Sequence, residues 1–84
     1  MKLKNVMLTI ILLSSVSLSA ATFEEGIKAY NEKQDGKAKK IFKSVLREDN
    51  DHHLARFNLA SIYLFEKKYQ LALKHYSKVA KSDS

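Results

Sequence analysis

Apolar residues recur at helical spacing from residue 23 to residue 80, a stretch with two glycines and no proline. Spacings of three and four residues place side chains on one face of an α-helix, so this pattern predicts amphipathic helices. Polar breaks near residues 34–36, 50–51 and 66 divide the stretch into four segments. The sequence therefore predicts an all-α domain over residues 22–84, built from two helix-turn-helix hairpins.

Capping residues and turn residues set the expected helix ends. Thr22 and Glu25 have the spacing of a capping box, which predicts the start of the first helix. We expect that helix to end near Lys33, and we expect residues 34–36 to form a turn because they read Gln-Asp-Gly. Asp51 is the predicted cap of the third helix.

The first twenty-one residues have the features of a secretory signal peptide. Two lysines precede an apolar segment over residues 6–13, and small residues follow it. The sequence predicts cleavage after Ala20 or Ala21. The chain has no cysteine, so it can form no disulfide and carries no thiol for a lipid anchor. We expect a protein exported to the periplasm or secreted, without stable membrane insertion after cleavage.

The basic charge of the chain does not indicate a nucleic-acid partner. After cleavage at Ala20, 13 basic and 9 acidic side chains remain, for a net charge of +4. The lysines do not form one run, and export separates the protein from nucleic acid. We interpret them as a solvated helix surface. Weak attraction to anionic lipid or to a cell-wall polymer remains open as an alternative.

The two hairpins are copies of each other. When residues 21–50 are aligned with residues 55–84, an offset of 34 without a gap, eight of the thirty pairs are identical. The identical pairs are Ala21/Ala55, Phe23/Phe57, Glu32/Glu66, Lys33/Lys67, Ala38/Ala72, Lys40/Lys74, Val45/Val79 and Asp49/Asp83. A period of this length with two helices per unit is typical of stacked helical repeats.

The second copy resembles the tetratricopeptide repeat (TPR) family at its characteristic positions. These positions hold Leu59, Ala60, Tyr63, Ala72, Tyr76 and Val79. The first copy fits at Gly26, Ala38, Phe42 and Val45. It departs at Glu25 and Ala29, where the family has leucine and tyrosine, and neither copy ends in the usual proline. The first copy is also similar to Sel1-like repeats, and both families imply binding of a protein or peptide.

The resemblance also implies a binding groove lined by the first helix of each hairpin. The candidate partner-binding residues are Phe23, Ile27, Tyr30, Phe57, Asn58 and Leu64. Apolar stripes at this spacing are more often core, so burial of these side chains is the alternative.

Catalytic, metal and cofactor sites are not predicted. His52, His53 and His75 lack metal-ligand spacing, and we expect them to be exposed. Glu24 and Glu25 suit the first turn of a helix, whose N-terminus favours negative charge. The sequence contains no nucleophile elbow and no phosphate-binding loop. We expect a protein that is not an enzyme and needs no cofactor.

These observations predict an exported adaptor or assembly partner that binds an unidentified protein or peptide. One alternative is a structural element that caps or stacks on another repeat array and has no groove ligand, and another is a truncated copy of a longer repeat protein. Leu73, Tyr76 and Ala80 are the predicted stacking edge of the last helix. We expect that edge to pair with its own copy or with another protein's helix.

Overall fold

The computed structural model describes residues 21–82, and it confirms that this part of the chain is all-α. The predicted signal peptide lies outside the described residues except for Ala21. The four helices are α1 (Phe23–Asn31), α2 (Asp35–Glu48), α3 (His53–Phe65) and α4 (Tyr69–Ser82). None of these helices is both long and apolar enough to span a membrane.

The start of α1 is the one that the capping signal predicts. The Thr22 side-chain oxygen accepts a hydrogen bond from the Glu25 backbone N–H at 3.2 Å. Glu24 and Glu25 stand in the first turn, where the exposed N–H groups of a helix favour negative charge. The predicted end near Lys33 is two residues too late, since α1 ends at Asn31.

The turns that end α1 and α3 repeat each other at the 34-residue offset. Lys33 and Lys67 both have left-handed backbone conformations, with φ of 60° and 65°. In each turn the next residue's N–H donates to the carbonyl five positions earlier, which is the pattern of a Schellman C-cap. The pairs are Gln34 with Ala29 at 2.9 Å and Lys68 with Tyr63 at 2.8 Å. The repetition in sequence is therefore also a repetition in backbone structure.

Two predicted boundaries of the later helices are wrong. Asp35 and Gly36 were expected in a turn but form the first residues of α2, because the left-handed residue Lys33 already reverses the chain. The cap of α3 is His52, whose Nδ1 accepts from the Ala55 N–H at 3.1 Å. The predicted cap, Asp51, lies one residue too early, and its backbone N–H donates to the side chain of Asp49.

Each helix packs against the next one along the chain, so α2 lies on α1, α3 on α2 and α4 on α3. The core is formed by one continuous cluster drawn from all four helices. Its members are Ala29, Ala38, Ile41, Phe42, Leu46, Ala55, Leu59, Ile62, Tyr63 and Ala72. The packing of α1 on α2 depends on Gly26, where an added Cβ would lie 2.6 Å from Cε1 of the buried Phe42 ring.

Candidate protein-interaction site

Helix α3 exposes large apolar side chains along its whole length. Leu54, Phe57, Leu64 and Phe65 are all about half exposed or more, and Phe65 is 83% exposed. Eleven residues of α-helix separate the first from the last of them, which corresponds to about 16 Å. Leu59, Ile62 and Tyr63, on the other side of the helix, are buried. The exposed stripe is therefore a surface feature and not the core face of α3.

Helix α1 lies alongside α3 and runs in the same direction. At one end, the Phe23 ring lies 4.7 Å from the ring of His52, the residue that caps α3. At the other end, Tyr30 and Asn31 line a cleft of about 540 Å³ together with Phe65. The ends of α1 therefore lie near the ends of α3, and we call the surface between the two helices the α1/α3 groove.

The structure places the predicted partner-binding residues at two depths. Phe23, Ile27 and Tyr30 on α1 are half-buried and pack against the core, with the Phe23 ring 5.8 Å from that of Phe42. Phe57 and Leu64 on α3 are exposed. The α1 side of the groove is thus a wall attached to the core, and the α3 side presents the more accessible apolar surface.

Polar groups on the α3 side are largely satisfied within the helix. The Asn58 amide nitrogen donates to the Leu54 carbonyl at 2.7 Å. The Ser61 hydroxyl bonds the Phe57 carbonyl at 3.0 Å and the Tyr76 hydroxyl at 2.8 Å. Because the serine has one hydrogen to donate, Tyr76 is the donor in the second bond. Apolar contact is therefore the main interaction that this face of α3 offers.

The predicted stacking edge of α4 also contains both exposed and half-buried side chains. Leu73 is 66% exposed, and Ala80 is exposed too. Tyr76 is half-buried instead, and its ring lies edge-on to Phe57 at 5.4 Å. Tyr69, one turn before Leu73, is also exposed. Tyr69, Leu73 and Ala80 therefore form the outward stripe of α4.

Several exposed apolar residues were not among the predicted site residues. Phe65 and Tyr69 occupy the positions that Asn31 and Asp35 occupy in the first copy. Where one copy has a polar residue and the other copy has an exposed apolar residue at the equivalent position, the sequence indicates that the second surface has a role of its own. That signal is present in the 34-residue alignment and identifies both residues.

The expectation of exposed histidines is wrong for two of the three. His53 is exposed, whereas His52 is half-buried as the α3 cap. His75 is half-buried and stacks on Tyr63, with ring centroids 5.7 Å apart. Burial, followed by the nearby Arg56 charge, lowers the pKa of His75. Within residues 21–82, no three His, Cys, Asp or Glu side chains form a group that could hold a metal ion.

Comparison with known proteins adds no assignment to this geometry. No protein-family model matches the sequence, and no curated protein or solved structure matches it. The functional argument therefore depends on the groove, the stripe and the charges of the chain itself.

Proposed function

We propose that this chain is an exported, non-catalytic interaction module of the TPR type, which holds a segment of another protein in the α1/α3 groove. The observation that carries the proposal is the exposed stripe on α3, with Phe65 83% exposed beside the cleft that it shares with Tyr30. Exposed aromatic and aliphatic side chains grouped on one face are the usual anchors of protein interfaces.

The repeat class is supported by the backbone as well as the sequence. The same Schellman turn occurs in two hairpins 34 residues apart, and 34 residues is the length of a TPR unit. In that family the first helices of successive hairpins lie side by side, and the proximity of the ends of α1 to the ends of α3 supports such an arrangement. Export is supported by the lysines, the apolar segment and the small residues of the first twenty-one positions.

A photo-crosslinking experiment tests the groove. A benzophenone residue at position 64 lies on the α3 stripe, whereas the same residue at position 40 lies on the exposed part of α2. The mature protein would be irradiated in an envelope extract of the organism that produces it. We expect a discrete adduct from position 64 and none of the same mass from position 40.

Variants matched between the repeats make this test specific. Phe65→Asn introduces the residue that α1 has at the equivalent position, so the fold should accept it. We expect this change to remove the adduct from position 64. Leu71→Lys is the control, because it imports Lys37 of the first copy at another exposed site. An adduct that survives Phe65→Asn, or that position 40 also gives, would rule out the groove.

A second candidate function, structural stacking through α4, is favoured by the outward stripe. Leu73 is equivalent to Lys39, which forms an ion pair with Glu66 of the second hairpin at 2.8 Å. Leu73 therefore stands where the first hairpin contacts the next one. The outer surface of α1 is polar, with Glu25 and Lys28 exposed, so stacking on a second copy would join α4 to α4.

Analytical ultracentrifugation with Leu73→Lys tests stacking. If the second function holds, the wild-type protein dimerises as its concentration rises, Leu73→Lys stays monomeric, and Leu71→Lys dimerises normally. A wild-type protein that remains monomeric throughout would reject it. The two functions are separable, because Leu73→Lys should leave the adduct from position 64 intact.

A further inference from the structure

A basic pocket lies between α2, α3 and α4, away from the α1/α3 groove. It has a volume of about 560 Å³ and is lined by Lys43, Leu46, Arg47, Asn50, Arg56, Leu59, Tyr63 and His75. Arg56 directly precedes Phe57 on α3, and neighbouring helical residues point about 100° apart. The pocket and the exposed stripe therefore occupy different faces of the same helix.

Arg56 is the most unusual side chain of this pocket. It is the one charged residue buried within the described residues, at 6% exposure. One guanidinium nitrogen, Nη2, donates to the Asn50 backbone carbonyl at 2.7 Å and to its side-chain oxygen at 2.9 Å. The other, Nη1, lies 3.2 Å from Nδ1 of His75. Because arginine can only donate, Nδ1 accepts, and the neutral imidazole carries its proton on Nε2.

None of these acceptors is a carboxylate. Within residues 21–82, Glu66 forms ion pairs with Lys39 and with Lys68, and Arg56 is in neither. Of the acids in the nearby loop, Asp49 accepts from the Asp51 backbone N–H. A buried guanidinium is costly unless a negative charge compensates it. The pocket thus holds a buried positive charge whose contacts within the described residues are neutral.

Further cations surround this charge. Lys43 and Arg47 line the pocket from α2, and the Lys43 ammonium lies 5.9 Å from the centre of the Tyr63 ring. Lys74 and Lys78 on α4 are close enough for their charges to act on His75. Leu59 and Tyr63 supply an apolar wall beside the cations. A doubly charged ligand with a small organic part matches this combination of charge and shape.

We propose that this basic pocket binds a dianionic oxyanion, which is either free sulfate or phosphate or the phosphate group of a small monoester. Arg56 and Lys43 would face the oxyanion, and Leu59 and Tyr63 would face the organic part. The proposal is independent of the α1/α3 groove, since it concerns a different face and different chemistry.

Titration with sodium sulfate, followed by NMR, tests the pocket. Sulfate does not change its charge between pH 5 and 8, so the pH dependence reports the protein alone. At constant ionic strength, we expect saturable shifts at the ring protons of His75 and Tyr63. An oxyanion beside His75 should raise the pKa of this imidazole, so affinity should increase as the pH falls through the His75 titration. Arg56, Lys43, Lys74 and Lys78 are the other charged groups that act on it.

Substitutions at the rim of the pocket avoid the buried arginine, whose loss could unfold the chain. Lys43→Gln and Arg47→Gln should each weaken sulfate binding about three-fold, and together about ten-fold. Lys40→Gln removes the same charge from an exposed position on α2 that does not line the pocket. Circular dichroism would confirm that all four variants keep their helicity.

The possible outcomes distinguish specific binding in the pocket from a nonspecific effect of added salt. Saturable binding that the double variant weakens and Lys40→Gln does not would support the proposal. Shifts that never saturate, or equal affinity in the double variant and wild type, would overturn it. Phenyl phosphate compared with inorganic phosphate then identifies the source, since tighter binding of the ester indicates use of the apolar wall.

Discussion

Phe42 of the first hairpin is fully buried and lies against Gly26, whereas its counterpart Tyr76 in the second hairpin is half-buried and lies against Phe57 and Ser61. Both hairpins keep the same turn and the same buried alanine, Ala38 or Ala72. The turn and this alanine are therefore the features that both hairpins have in common where their two helices meet. The same hairpin backbone therefore accommodates either a fully buried or a half-buried aromatic ring at this position.

The two hairpins also differ at their surfaces. Four polar residues of the first copy are replaced in the second copy by exposed apolar ones: Asn31/Phe65, Asp35/Tyr69, Lys37/Leu71 and Lys39/Leu73. At two other positions the second copy has a basic residue: His75 corresponds to the buried Ile41, and the buried Arg56 corresponds to the exposed Thr22. The second hairpin therefore carries the apolar surfaces and contributes Arg56 and His75 to the basic pocket. The first hairpin supplies a polar end, the groove wall, and Lys43 and Arg47 of that pocket.

Replacement of the two equivalent rings gives the largest expected effect. Phe42→Ala removes a fully buried ring and should cost about 4 kcal/mol of unfolding free energy. A domain of about 60 residues has roughly 3 to 9 kcal/mol in total, so this variant should be largely unfolded. Tyr76→Ala, at the half-buried position, should cost about 2 kcal/mol. Urea denaturation followed by circular dichroism measures both, and equal losses would contradict the difference in packing.

The second effect concerns the close approach of α1 and α2. Gly26→Ala would place its Cβ 2.6 Å from Phe42, and overpacking should cost more than the roughly 1 kcal/mol gained in helix propensity. We expect a net loss of about 1 to 2 kcal/mol in urea denaturation. In a Phe42→Leu background, which shortens the opposing side chain, the penalty should fall. A Gly26→Ala variant more stable than wild type would show that the helices separate without cost.

The fold could be predicted largely because its information is local. Helical spacing gave the four helices, and the Thr22 cap gave the start of α1. Asp51 was predicted as the cap of α3 because aspartate is among the commonest N-cap residues. Sequence spacing did not reveal that the His52 ring lies against Phe23, a contact that needs the assembled hairpins. The left-handed conformation of Lys33 was not predicted, because glycine is the usual residue at such a position after a helix.

The candidate sites were less predictable because they depend on contacts between helices. Arg56 meets His75 across 19 positions, and Lys39 meets Glu66 across 27. Neither pair has a sequence signature, whereas Phe57 and Leu64 could be selected from one helix alone. The alignment of the two copies contained a further signal, the replacement of polar Asn31 and Asp35 by Phe65 and Tyr69.

A smaller effect tests the ion pair between the hairpins. The hydrogen bond from Lys39 lowers the pKa of Glu66, with Lys68 contributing further. The folded state therefore favours the ionised carboxylate, and this stabilisation is present above the unfolded pKa and lost as pH falls through the folded pKa. Glu66→Gln should cost about 0.5 kcal/mol at pH 7, and the difference should vanish in acid.

Glu32 provides the matched control for this measurement. It is identical to Glu66 at the 34-residue offset, but it is exposed and forms no salt bridge with the described residues. Glu32→Gln should leave the unfolding free energy unchanged at both pH values. If the two variants lost the same stability, the pair with Lys39 would contribute nothing across the hairpin interface.

An effect of the same size is expected at the two turns, where equivalent substitutions in the two copies should change stability equally. Lys33 and Lys67 adopt left-handed backbone, which costs an L-residue about 1 to 2 kcal/mol. Glycine removes that strain but has more freedom in the unfolded chain, worth about 0.4 to 1 kcal/mol. Lys33→Gly and Lys67→Gly should therefore each raise the unfolding free energy by about 0.5 kcal/mol. Thermal and urea denaturation of both variants measure the gain, and a gain in one turn only would mean that their common hydrogen bonds do not make them energetically equivalent.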